Sequence, residues 1–169
     1  MGATDSAFEE IYQLYSADLY RFILRMTNDE QLAMDILQDT LLQFSLSADK
    51  FRGECSVKTY LCAIARNEYR RWLKKNKDRP LPLDEIPEPR APGDLQQQTE
   101  QHDRSMEIHS LLHQLEEPYK EVFLLRVFAE LQFSEIGRLF GKNANWAGVT
   151  FFRAKKKLLA MMKEADNDE

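Results

Sequence analysis

The densest chemical signal in the chain runs from Leu131 to Leu158, LQFSEIGRLFGKNANWAGVTFFRAKKKL. Ile136 and Leu139 face inward from a short helix, Gly141 allows a tight turn, Asn143 offers a polar cap, and Ala147, Phe151, Ala154 and Leu158 form the inner stripe of a second helix. That pattern specifies a helix-turn-helix. Its outer face then presents Asn145, Gly148, Val149, Phe152, Arg153 and Lys156, and from Lys142 to Lys163 there are six bases and no acid. A positive strip carrying an exposed aromatic suits the major groove of duplex DNA. A solvated basic face on a plain helical hairpin accounts for the charges but not for the turn, cap and stripes together.

A second basic cluster spans Arg66 to Arg79, RNEYRRWLKKNKDR, with seven bases, two acids, and Tyr69 and Trp72 interleaved. Bases pair with phosphates while aromatic faces stack on unpaired nucleobases, which fits opened DNA. Equally, Tyr69 and Trp72 complete a core beneath solvated bases, and both readings stand. A third feature is DILQDTLL, Asp35 to Leu42. With Ile36, Leu37 and Leu41 inward, Asp35, Gln38, Asp39 and Leu42 share an outer face whose mixed acidic and apolar character suits docking on a basic partner.

Groups able to do catalysis are sparse. His109 and His113 lie four apart on an expected helix, a spacing that can share a metal, but no cysteine pair or third acidic ligand stands near them in sequence. Solvated surface histidines are the expectation. Cys55 and Cys62 are expected as ordinary thiols without a disulfide framework. There is no glycine-rich phosphate loop and no legible nucleophile with its base, so the expectation is no catalytic residue, no metal and no cofactor.

The elements that must position these groups are all helical. Apolar residues recur at helical spacing through Phe8, Ile11, Tyr12 and Tyr15, through Leu19, Phe22, Ile23 and Met26, and through Ala33, Ile36, Leu37, Leu41 and Phe44. FRGECS, Phe51 to Ser56, interrupts the pattern, after which Ser56 or Thr59 can cap a helix through Leu61, Ile64 and Ala65 to Trp72. Further helices are expected over Met106 to Leu115, Pro118 to Ala129, Ser134 to Phe140 and Asn145 to Lys163. Alternating strand patterns are absent. Five prolines between Pro80 and Pro92, followed by the polar run GDLQQQTEQHD, mark a flexible linker with six acids and two bases. The fold expected is therefore all-α, with small helical domains at 1–79 and 105–169 joined by an acidic linker at 80–104.

Bulk properties narrow the function further. With 23 Lys+Arg against 28 Asp+Glu, the net charge of -5 excludes uniform attraction to nucleic acid or anionic lipid and leaves local patches as the means of binding. No apolar run approaches the roughly 20 residues that cross a bilayer, and the first residues, MGATDSAFEEIYQLY, lack a basic start followed by an apolar stretch. A soluble, cytoplasmic protein without membrane contact of its own is expected.

DILQDTLL, FRGECSVKTYLCAIARN and LEEPYKEVFLLRVFAELQFSEIG with its helix-turn-helix, in that order and spacing, resemble an extracytoplasmic-function sigma factor. The resemblance spans nearly the whole chain. It implies that 1–79 is a region 2 domain, which binds the polymerase clamp and opens the minus-10 element, and that 105–169 is a region 4 domain, which reads the minus-35 element. It further implies that Asp35, Gln38, Asp39 and Leu42 dock on core RNA polymerase. Phe51, Arg52, Gly53, Glu54, Cys55 and Ser56, with Asn67, Arg70 and Arg71, would meet minus-10 DNA. Asn145, Gly148, Val149, Phe152, Arg153 and Lys156 would meet minus-35 DNA. Promoter DNA, core polymerase and an anti-sigma factor are the implied partners. Tyr60 stands where tryptophan is usual in the family, Lys142 replaces an apolar turn residue, and Gly148 replaces a common arginine or lysine. Two other classes compete: an enzyme built on the histidines, and a stand-alone helix-turn-helix regulator, which a gel shift with duplex DNA in the absence of polymerase would reveal.

Overall fold

The computed structural model describes residues 3–77 and 107–168, so the expected linker at 80–104 lies outside the described residues. Helix α1 covers Ala3–Thr27 and α2 covers Glu30–Ser47, followed by one 3-10 turn at Ala48–Lys50. Asn28 adopts the left-handed conformation (φ 57°) between them, a role asparagine tolerates better than most residues. The next residue, Asp29, caps α2 by accepting from the Leu32 amide at 3.1 Å. Helix α3, Val57–Lys75, starts at Ser56, whose hydroxyl accepts from the Thr59 amide at 3.1 Å.

In the second described stretch come α4 over 107–114, α5 at Tyr119–Val127, α6 at Phe133–Leu139 and α7 at Ala144–Asn167. Each expected helix is present, with ends displaced by a residue or two except for α3, which runs three residues past Trp72, and α7, which runs four past Lys163. Among the described residues no strand forms. Helix α6 is short but doubly secured, because Gln132 and Glu135 form a capping box in which the Gln132 amide donates to the Glu135 carboxylate at 2.9 Å.

Phe22, Ile23, Ala33, Leu61 and Ala65 fill the middle of the first three helices, and Leu112, Val122, Leu125, Ile136 and Ala147 that of the last four. Burying a leucine, isoleucine or phenylalanine fully stabilises the fold by about 1.5–3 kcal/mol each. The two sets merge into one apolar cluster, so the halves pack on each other. Charged residues seal that junction. Arg66, only 7% exposed, pairs with Glu121 of α5, donates to the Leu139 carbonyl at 3.1 Å and lies 4.2 Å from the Phe140 ring centre. Arg25 of α1 contacts His109 of α4 and sits over the Phe128 ring at 5.3 Å.

These contacts correct one expectation. The histidines are not solvated: His109 is 5% exposed, and His113 is largely buried. Burial drives the His113 imidazole down to about 4, aided by the nearby Lys120 charge and opposed by a backbone hydrogen bond at Arg25.

Candidate polymerase and nucleic-acid interfaces

On α2 the inner stripe is Ile36, Leu37, Leu41 and Phe44, all buried, which rotates Asp35, Gln38, Asp39 and Leu42 outward as expected. Leu42 is 55% exposed, and the apolar surface continues to Met34 and to Leu46, which is 71% exposed. Met34, Gln38, Leu42 and Leu46 advance in steps of four, so they make one ridge along the helix. Met34 and Leu46 are additions to the expected face. Their signal was that same spacing, extended one turn each way.

The loop after α2 is anchored at one end by aromatics. Phe51 is half-buried with its ring 5.0 Å from Tyr60, which in turn makes an edge contact with Phe44 at 5.8 Å and hydrogen-bonds Ser47 at 2.9 Å. Tyr60, the residue in place of tryptophan, thus has a partner for both its ring and its hydroxyl. Arg52, Gly53, Glu54 and Ser56 are exposed, Cys55 is partly covered, and Gly53 takes φ 71°, where a side chain is strained. Beside the loop, Asn67, Arg70 and Arg71 are exposed on α3. Arg71 pairs with Glu68 at 3.4 Å, and Arg70 reaches Glu121 at 3.2 Å. The two open readings of the interleaved aromatics divide here: Tyr69 is buried and stacks on Trp72 at 6.3 Å, so it is a core residue, while Trp72 is half-buried. Burial pushes the Tyr69 hydroxyl up to about 12.

In the helix-turn-helix, α6 and α7 are joined by a turn that two glycines make possible. Gly141 has φ 66°. Gly137 donates no strain of that kind but admits no side chain, since a Cβ there would stand 2.4 Å from the Asn143 carbonyl oxygen. Sequence reading identified Gly141 and missed Gly137, whose requirement depends on a backbone six residues away. Asn143 caps α7 by accepting from the Trp146 amide at 2.8 Å.

The phase of α7 is the one its pattern specified. Ala147, Ala154 and Leu158 are buried and Phe151 is half-buried, whereas Asn145, Val149, Phe152, Arg153 and Lys156 are exposed and Gly148 lies between the two faces. Phe152 is 62% exposed, yet its ring has a defined base: Phe151 at 5.6 Å and Phe133 at 6.3 Å. Phe133 is itself held by the Arg126 guanidinium, 4.4 Å from its ring centre, while Arg126 donates to the Leu131 carbonyl at 3.0 Å. An aromatic so supported presents an apolar contact at a fixed height above the helix, next to Arg153.

Glu135 joins this half to the loop. Its carboxylate accepts from the Thr59 hydroxyl at 2.8 Å and the Ser56 hydroxyl at 3.0 Å. Burial by itself raises its carboxyl, but hydrogen bonds from Gln132, Thr59 and Ser56 and the charge of Lys58 outweigh it and hold the group below its ordinary value.

Comparison with known proteins accounts for both halves. Residues 11–79 match the model of Sigma-70 region 2, and residues 105–158 match that of Sigma-70, region 4. The chain is similar to the ECF RNA polymerase sigma factor SigM of Bacillus subtilis (strain 168), with 30% identity over 162 residues, covering 95% of this chain and 98% of SigM. It is also similar to the RNA polymerase sigma factor YlaC of the same organism, 26% identical over 168 residues, covering 96% of each. Among solved structures, the sigma factor RpoE of Bartonella quintana, crystallised in complex with the anti-sigma factor NepR, shares the fold with TM-score 0.73 at 20% identity, covering 94% of this chain and 98% of RpoE. With both region models matched in order, and SigM alike along nearly its whole length, the chain belongs to the extracytoplasmic-function RNA polymerase sigma factors.

Proposed function

We propose that this sigma factor docks on core RNA polymerase through the α2 ridge of Asp35, Gln38, Asp39 and Leu42, extended by Met34 and Leu46. The minus-10 element is then met by Phe51 to Ser56 with Asn67, Arg70 and Arg71, and the minus-35 duplex by Asn145, Gly148, Val149, Phe152, Arg153 and Lys156. The domains are region 2 over 1–79, a linker over 80–104 and region 4 over 105–169. The observation that carries the reading is the phase of α7: its exposed side joins Arg153 and Lys156 to a supported Phe152, a combination of phosphate or base pairing with apolar contact to a thymine methyl.

The protein acts as a transcription initiation factor in the cytoplasm and catalyses nothing itself. Among the described residues no helix is long and apolar enough to cross a membrane. An anti-sigma factor holds it inactive by covering the docking ridge; RpoE, which shares this fold, forms a complex with the anti-sigma factor NepR. Run-off transcription with core polymerase over a promoter library tests the assignment. Defined start sites are expected, and charge reversal at Asp39 combined with Leu42→Ala should weaken binding to core while leaving helix content unchanged. Unaltered affinity for core would remove the ridge from the docking surface.

A further inference from the structure

Phe152, the exposed aromatic of α7, would be a poor reader of DNA if its ring were free. Clamping a mobile side chain against a base costs rotamer freedom, and a ring already held does not lose it again. The group that holds this ring lies outside α7. Phe133, at the start of α6, has its ring centre 6.3 Å from that of Phe152 and 5.7 Å from that of Phe151, and Phe151 closes the triangle with an edge contact to Phe152 at 5.6 Å. A Cβ at Gly148 would stand 3.6 Å from Phe133 Cδ2, so the Phe133 ring lies directly against the α7 backbone one turn before Phe152. Where the family commonly carries arginine or lysine, this chain has a glycine bordered by an aromatic from the neighbouring helix.

Behind Phe133 stands Arg126 of α5. Its guanidinium carbon is 4.4 Å from the ring centre, and one of its N–H groups donates to the Leu131 carbonyl at 3.0 Å, which ties the cation to the backbone just before α6. Cation and ring attract through the ring's quadrupole, so the anchored guanidinium fixes the ring in turn. Arg126 and Phe133 are half-buried, whereas Phe152 is 62% exposed.

We propose that Arg126 and Phe133 are positioning residues for minus-35 readout, holding the Phe152 ring in the orientation that meets the C5-methyl group of thymine. The proposal rests on the placement of Phe152 at the minus-35 duplex given above. In the major groove the thymine methyl is the one apolar mark among the base edges, so a ring held at a fixed height separates thymine from the other bases. Gly148 supplies no cation to a guanine edge, which leaves discrimination to this methyl contact and to Arg153. Neither Arg126 nor Phe133 has to touch DNA for the effect.

The test uses the full-length chain assembled with core polymerase and a fluorescein-labelled duplex of a promoter defined by the run-off screen. Each thymine of its minus-35 element, on either strand, is replaced singly by deoxyuridine, which removes the methyl group and keeps every hydrogen-bonding atom. The readout is the ratio of dissociation constants, deoxyuridine over thymine, within each variant, from which a general loss of stability or of polymerase affinity cancels. Wild type should show a ratio of about four where Phe152 lands, the effect of burying one methyl group, and Phe152→Ala a ratio of about one at the same sites. Phe133→Leu keeps apolar volume but not the flat ring, and Arg126→Gln removes the cation. Each should lower the ratio to about two or less, while Arg126→Lys restores it and Phe133→Leu adds nothing in a Phe152→Ala chain. A wild-type ratio in either Phe133→Leu or Arg126→Gln overturns the positioning role, even if the variant binds less tightly, and leaves Phe152 as the reader. Should Arg126→Gln lose its helical circular dichroism, Phe133→Leu decides the matter. Insensitivity of the wild-type holoenzyme to every deoxyuridine would instead remove Phe152 from the thymine methyl, and the proposal would fall with that placement.

Discussion

Two glycines of the helix-turn-helix, eleven residues apart, should respond to the same substitution with opposite signs. At Gly137 a Cβ would stand 2.4 Å from the Asn143 carbonyl oxygen, 2.7 Å from its carbon and 3.0 Å from the Lys142 carbonyl oxygen. All three are backbone atoms, so no side chain can rotate away. The turn must retreat, stretching the 2.7 Å hydrogen bond from the Lys142 amide to the Gly137 carbonyl and disturbing the Asn143 cap. Overpacking costs about 1–3 kcal/mol and the lost hydrogen bond about 1 kcal/mol, while alanine returns up to about 1 kcal/mol of helix propensity. The net expectation for Gly137→Ala is a loss of about 2 kcal/mol. At Gly148 the nearest atom to a Cβ is Phe133 Cδ2 at 3.6 Å, an ordinary contact, so Gly148→Ala should keep most of the propensity gain and stabilise the chain by about 0.5–1 kcal/mol. Urea titration followed by circular dichroism reads both, with a fall of about 4–8 °C in melting temperature for the first variant as a companion measure. Binding to minus-35 duplex should show the cost that stability does not: Gly148→Ala inserts a methyl group between helix and groove and weakens the complex. A Gly137→Ala chain as stable as wild type, or a destabilised Gly148→Ala chain, would refute the account of how the turn is packed.

Phe152→Ala should lower transcription from the cognate promoter while changing stability by less than about 1 kcal/mol, since its ring is mostly solvent-exposed; a large drop in melting temperature would place it in the core. His113 is pushed down to about 4 in the folded chain against about 6.5 when unfolded, so the unfolded chain binds the proton more readily between those values. Stability is accordingly full above pH 6.5 and falls with acidification toward pH 4; urea midpoints at pH 7 and pH 5 should show a loss of about 2 kcal/mol that His113→Gln abolishes. Burial pushes the Cys62 thiol up to about 12, whereas Cys55 is partly exposed. Iodoacetamide should alkylate Cys55 in the native chain and reach Cys62 only after unfolding, as peptide mass spectrometry would record.

The phase of α7 was legible because Ala147, Ala154 and Leu158 repeat at helical spacing against an uninterrupted basic face, and the α2 ridge was legible for the same reason. Local caps also announced themselves, through Ser56 and Asn143. The junction between the halves did not. Arg25, Arg66 and Glu121 sit on helices where charged residues are ordinarily solvated, and their partners across the junction lie 51 or more positions away in the chain. Periodicity reports which side of a helix faces inward but carries no information about a second buried side that is polar. The two histidines were misjudged for this reason, being read as surface groups when the junction covers them.

The division of labour along α7 bears on how such a factor diverges. Its inner residues are fixed by packing against α5 and α6, whereas Asn145, Val149, Arg153 and Lys156 touch solvent. Exchange of these four leaves the scaffold's free energy nearly unchanged, so a duplicated copy of the gene can wander toward another promoter through folded intermediates. Phe152 also belongs with them in stability, because its ring rests on Phe133 and Phe151 from the solvent side and is mostly exposed. A lineage that abandons Phe152 therefore loses little of the fold, and only its contact beyond the protein holds the position.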